Sequence, residues 1–173
     1  MNVVSEHFYT DLNDNLEHLV KVYRSLLEVV RKEKDILVAG KLDELVENNK
    51  AKDTILVRIR SLENTRMKCA RDLAAALGAD VENPRLLDIA TYAETRWQDV
   101  LRNMHAVLDL LIRRVSEVNK SNEELVQAAL SNITGAMNEI RDGMKPKATY
   151  ARQGQIAQPA PATTGGRLVS KEA

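Results

Sequence analysis

The sequence predicts an all-α protein: an antiparallel coiled-coil hairpin plus a long third helix, followed by a disordered C-terminal tail. Three observations carry that prediction. Apolar residues recur at alternating steps of three and four along most of the first 144 positions, the spacing of a single helix face. Aromatic residues are only 3% of the 173, and there are 7 Gly and 4 Pro, a composition that favours long helices over a β fold. No segment alternates apolar and polar residues with a period of two, the signature of a half-buried strand.

The first helix is the cleanest. Leu12, Leu16, Leu19, Tyr23, Leu26, Val30, Glu33 and Leu37 form a heptad seam with one polar break at Glu33. Gly40 follows as the residue that takes the left-handed conformation past the helix end. The second helix has a seam of Leu42, Leu45, Asn49, Lys52, Leu56, Ile59, Glu63, Arg66, Ala70, Leu73 and Leu77. Ile55, Leu62 and Cys69 widen it, and Gly78 closes it. The short link at Gly40 makes the pair antiparallel.

The third helix is expected to start at Asn83-Pro84, an N-cap residue followed by proline in the first turn. Its seam runs through Trp97, Leu101, Met104, Leu108, Leu111, Val115, Val118 and Asn122. Two consecutive steps of four, from Val118 to Asn122 to Val126, make a stutter that rotates the stripe around the helix. The stripe continues as Val126, Leu130, Ile133, Met137, Ile140 and Met144, and the helix is expected to end at Gly143. Residues 42–77 would span ~54 Å and residues 84–143 ~90 Å at 1.5 Å per residue. Two shorter partners cannot cover a helix of that length, so roughly its last 20–25 residues are expected to carry an uncovered apolar stripe. Ser121 and Glu124 fit a capping box that could start a fourth helix. No Gly or Pro marks a break there, and a continuous helix is expected.

Residues 1–144 thus read as one helical domain and 145–173 as a basic tail. From Lys145 onward the basic residues Lys145, Lys147, Arg152, Arg167 and Lys171 face a single acid, Glu172. The whole chain has 25 basic and 25 acidic residues, so net charge offers no pointer to nucleic acid or to an anionic membrane. The N-terminus lacks a basic stretch followed by an apolar run, so no signal peptide is expected. No stretch reaches the ~20 apolar residues of a membrane span. The single cysteine, Cys69, excludes an intrachain disulfide and suits a reducing, cytoplasmic setting.

Catalytic and cofactor chemistry finds no support in these residues. His7, His18 and His105 have no metal-ligand spacing. Phosphate-cradling glycine loops and nucleophile elbows are missing as well. Lys68, Arg66 and Arg71 near Cys69 could lower its pKa, but its seam-flanking position assigns it to packing. Trp97 and Met104 lie on the seam and are assigned to the core. Met137 and Met144 lie on the open stripe, where flexible thioethers suit a binding surface. Arg113-Arg114 has no aromatic interleaving for base stacking. The expectation is no catalysis, no cofactor, no metal, no nucleic acid and no membrane insertion. By their pattern alone these residues fit a partner-binding helix protein, or a structural coiled-coil scaffold that self-associates through the same stripe.

Three stretches carry a resemblance to a known family. The hairpin "EKDILVAGKLDELVENNKAK" has Glu33, Leu37, Gly40, Leu42 and Lys52 in order, and "VNKSNEEL" has Asn119 and Asn122 as N-x-x-N. "TYARQGQ" followed by "GGRLVS" places a tyrosine, a glycine and a terminal Gly-Gly-basic segment in the tail. Together they resemble the FlgN-type flagellar export chaperones, from about Glu33 to Ser170. Lys41 departs from the pattern, where the family often has an acidic N-cap.

The resemblance implies a cytoplasmic chaperone that acts transiently at the flagellar export gate. Its cargo would be the hook–filament junction proteins FlgK and FlgL, and its gate contact the protein FlhA. Carried onto this sequence, the cargo-binding residues are Val126, Ala129, Leu130, Ile133, Met137 and Ile140. The gate-binding residues are Tyr150 and Gly154. Tyr150 has no hydrophobic neighbour in the sequence to pack on, so a partner would supply its pocket. Glu33 and Lys52, polar breaks in facing seams, are expected to pair across the hairpin.

Overall fold

The computed structural model describes residues 3–144, with side chains from Glu6 onward. Four helices follow in order: α1 (Val3–Ala39), α2 (Leu42–Leu77), α3 (Leu86–Tyr92) and α4 (Thr95–Gly143). Among the described residues there is no strand. The protein is all-α, as its periodicity predicts. Its compact packing runs as far as Ala129, and Leu130 begins a second unit.

Gly40 and Gly78 are the two described residues with positive φ, 68° and 72°. Each closes a helix in the same way. Lys41 N–H donates to the Ile36 carbonyl at 3.1 Å and Gly40 N–H to Leu37 at 3.2 Å. Ala79 N–H donates to Ala74 at 2.9 Å and Gly78 N–H to Ala75 at 3.4 Å. Both are Schellman pairs, which satisfy carbonyls left over at a helix end. Lys41 then stands at the N-cap of α2 without a side-chain cap bond. Asp43 and Glu44 in the first turn complement the helix dipole in its place.

The third helical region differs from expectation. The chain does not enter one long helix at Asn83-Pro84. Instead Asp80 Oδ1 accepts from the Glu82 and Asn83 amides at 2.9 and 3.4 Å, closing a turn. The N-cap of α3 is Arg85, and α3 stops after Tyr92. Ala93 is extended, with φ −78° and ψ 155°. Gln98 Nε2 donates to the Ala90 carbonyl at 3.0 Å and ties α4 back to the end of α3. The buried positions Leu86, Ile89, Ala90, Trp97 and Leu101 keep helical spacing across this break, so periodicity gives no sign of it. Ser121 stays within α4, which is continuous to Gly143.

The first unit is built on α1. Leu12, Leu16 and Leu19 are fully buried, as are Leu73 of α2, Leu101 of α4 and, almost fully, Ile89 of α3. They belong to one core cluster fed by all four helices. A second, smaller cluster joins Leu26, Leu27 and Val30 to Ile59 and Val115. The contacts fix direction. Trp97 meets Glu6 and Tyr9, whereas Asn122 meets Val30, so α4 runs parallel to α1 while α2 runs antiparallel. Every predicted seam residue of α4 from Trp97 to Asn122 is buried or half-buried. The α2 seam needs correction: Ile55 and Asn48 face inward, and Leu42, Asn49 and Leu56 are exposed.

Leu101→Ala is expected to cost about 2–5 kcal/mol by opening a cavity in this core. Leu130→Ala, on an exposed position, should stay within about 0.5 kcal/mol. Chemical denaturation of both variants measures the contrast, and equal losses would mean that the core assignment is wrong.

Candidate partner-binding face

A layer of polar groups crosses the three long helices where the α4 seam stops being buried. Lys52 Nζ donates to Glu33 Oε2 at 2.7 Å, joining α2 to α1 as their facing seam positions led one to expect. The two side chains are only 22% and 14% exposed, so this pair is better shielded from water than the exposed ion pairs along the helices. Asn48 Nδ2 donates to the Val29 carbonyl at 3.2 Å. Asn122 Nδ2 donates to the Val30 carbonyl at 2.9 Å from α4, and Asn122 is 4% exposed. Two amides thus bond carbonyls that already belong to the α1 backbone. They make the lateral position of α2 and α4 on α1 a matter of hydrogen-bond geometry as well as of packing.

Beyond this layer the burial changes. From Val126 to Met144 every residue is exposed. Val126, Leu130, Ile133, Met137 and Ile140 are between 48% and 65% exposed. Their steps of four, three, four and three place them in one stripe along α4. Ala129, also exposed, flanks that stripe. None of the six belongs to either core cluster. Large apolar side chains exposed in a continuous helical row form the kind of surface that takes an amphipathic helix. The stutter explains where the row begins, because it moves the stripe off the α1-facing seam directly after Asn122.

Tyr150 and Gly154, assigned to the gate contact, lie outside the described residues. The basic tail residues from Lys145 onward lie outside the described residues as well. Trp97 is buried, stacks on Tyr9 at 5.0 Å between ring centroids, and donates from Nε1 to Glu6 Oε2 at 3.2 Å. Burial pushes the Tyr9 phenol up, and the Glu94 and Glu6 carboxylates act in the same direction. Cys69 is half-buried against the main core cluster. Burial pushes its thiol up, Asp11 and Asp72 add to the rise, and Lys68 opposes it only weakly. Met104 packs on the core, and Met137 and Met144 are exposed.

Two surfaces were not anticipated. Val38, Leu42 and Val46 are exposed around the hairpin turn. Leu42 and Val46, four apart on α2, could have been read as a separate small face. A groove of about 490 Å³ lies between α2, α3 and α4, walled by Met67, Leu86, Leu108 and Ile112. It exists because α3 breaks from α4, so no periodic signal announces it.

The family model described as FlgN protein matches residues 1–158. The chain belongs to the FlgN family. No curated protein and no solved structure matches it. FlgN proteins are flagellar export chaperones that bind flagellar substrate proteins. Among the described residues no helix is long and apolar enough to cross a membrane.

With its raised pKa, less of Cys69 is thiolate at a given pH than of a free thiol. Iodoacetamide at pH 8 should therefore modify it several-fold more slowly than free cysteine, and urea unfolding should remove the difference. Mass spectrometry of timed aliquots reads the rate. Modification of the folded chain as fast as free cysteine would contradict the packing role.

Proposed function

We propose that this chain is a cytoplasmic chaperone that captures the hook–filament junction proteins FlgK and FlgL before export. It holds their helical terminal segments along Val126, Ala129, Leu130, Ile133, Met137 and Ile140, then docks on the export gate protein FlhA through Tyr150 and Gly154. The observation that carries the reading is the change in burial along α4. One helix has a seam covered by its own chain through Asn122 and an equally apolar stripe left bare from Val126.

A cargo helix laid on that stripe removes its apolar side chains from water and has its own apolar face covered in turn. Segments that would otherwise polymerise are thereby kept apart until export. No group on this surface performs covalent chemistry in the proposed role, and no cofactor is needed. Met137 lets the surface repack for two related cargoes. In this reading the gate supplies the pocket for Tyr150.

Leu130→Asp or Ile133→Asp is expected to abolish FlgK and FlgL capture in a pull-down with purified proteins, while the helical circular dichroism is retained. Capture at the normal level by both variants would refute the assigned face. Tyr150→Ala should spare capture and lower secretion of the junction proteins, and undiminished secretion would remove the gate role of the tail. Light-scattering mass separates this reading from a self-associating scaffold. A chaperone gains mass as a defined heterocomplex when FlgK is added, whereas a scaffold is a stable oligomer alone.

A further inference from the structure

The charges of α4 are unevenly placed. Arg102, Asp109, Arg113, Arg114, Glu117 and Lys120 stand along the part whose seam its own chain covers. From Leu125 to Asn138 the helix has no charged residue, although the chain as a whole is 29% charged. That run spans ~21 Å at 1.5 Å per residue, and the exposed stripe runs along it. We infer that the stripe selects a docking helix whose apolar seam is itself bordered by uncharged residues, so that capture is driven by burial and depends little on salt. The inference rests on the cargo-capture reading and names the chemistry of the captured segment.

Exposure makes the neutral run unusual. Every residue from Val126 to Asn138 is exposed, and helix faces kept in water ordinarily carry charge. The covered part of α4 does so on its outer side. There Arg113 Nη2 bonds Asp109 Oδ2 at 2.7 Å and Arg114 Nη1 bonds Glu117 Oε2 at 3.0 Å, all on exposed side chains. An exposed run without charge is matched to a partner rather than to solvent.

The residues beside the stripe fix what that partner offers. Heptad spacing puts Ala129 and Ala136 on one border and Gln127 and Thr134 on the other. Thr134 Oγ1 donates to the Leu130 carbonyl at 2.9 Å, and Gln127 Nε2 donates to Glu123 Oε1 at 3.2 Å. Both bonds stay within α4, and the alanine side chains have no polar group. Neither border holds a charge that could answer one on the partner. Glu124 and Glu139 bracket the run, which limits the neutral contact to about two heptads.

A lysine or glutamate bordering the seam of a docking helix would lose water against these residues and find no ion partner, a cost that nothing repays. Ala, Ser, Thr, Asn or Gln at the same place carries no such cost. The face therefore discriminates against helices that pair through ion pairs at their flanking heptad positions. It accepts those whose borders are as neutral as its own.

The test is calorimetric titration of the full chain with purified FlgK. Kd is expected to change less than about 3-fold between about 50 and about 500 mM NaCl, and a larger change overturns the inference. Ala136 is exposed, so its variants should fold, and circular dichroism checks that they keep their helix. Ala136→Lys and Ala136→Glu should each raise Kd at least about 10-fold, whichever the sign. Ala136→Gln, of similar length but uncharged, should stay within about 3-fold of wild type, and so should Ala128→Lys, opposite the seam on heptad count. Tighter binding with either charge at position 136, wild-type affinity with both, or equal losses in all three Ala136 variants overturns the inference. A chain that alone forms a stable dimer, dissolved by Leu130→Asp, also overturns it, because a second copy then fills the face. The stripe reading survives these results so long as Leu130→Asp abolishes FlgK binding. Failure of the wild-type chain to bind FlgK at all overturns the function reading and this inference together.

Discussion

An apolar helix seam must be covered, and in this protein α1 covers it. Leu12, Leu16 and Leu19 have no water-exposed surface because α2, α3 and α4 all contribute to the cluster that encloses them. Everything else follows from that central burial. The direction of α4 is set by contacts at both ends of α1, with Trp97 against Tyr9 and Glu6 and with Asn122 against Val30. The place where α4 passes its last buried seam position decides which of its apolar residues stay exposed.

The polar layer at that place has a consequence for specificity. Glu33, Lys52, Asn48 and Asn122 occupy positions where apolar residues would pack without desolvation cost. Replacing such groups with well-packed hydrophobes is often neutral or stabilising. What the polar groups supply is geometry, since a hydrogen bond to a chosen carbonyl is satisfied at one register only. Asn122 also coincides with the stutter, so the same residue closes the buried seam and marks the rotation that exposes the next stripe. The polar layer thereby fixes the boundary between the buried core and the exposed apolar row.

Where sequence reading succeeded and failed has physical causes. The α4 seam was legible residue by residue because Trp97, Leu101, Met104, Leu108, Leu111, Val115, Val118 and Asn122 keep an unbroken alternation of four and three, which the exposed Leu110 and Ile112 beside them do not. On α2 the choice between Ile55 and Leu56, or between Asn48 and Asn49, is a choice between adjacent residues of the same kind. Heptad counting cannot separate them, and only contact with α1 does. The gap between α3 and α4 was invisible because Leu86, Ile89, Ala90 and Trp97 keep helical spacing through it. Ala93 leaves the helix, Gln98 reaches back to Ala90, and the Trp97 ring stacks on Tyr9. The groove beside α3 was hidden for the same reason. The candidate face was readable because an apolar row past the last expected partner needs no coordinates to be noticed.

By itself, then, the chain's order of residues determined the helical class, the two glycine-closed ends at Gly40 and Gly78 and the row from Val126 to Ile140. Each of these rests on spacing along one helix or on the short reach of a tight turn, which are local quantities. The tertiary structure alone decided the break at Ala93, the inward choice on α2 and the second amide anchor at Asn48. Those depend on which side chains from distant parts of the chain arrive at the same point, and a pattern along one helix contains no measure of that.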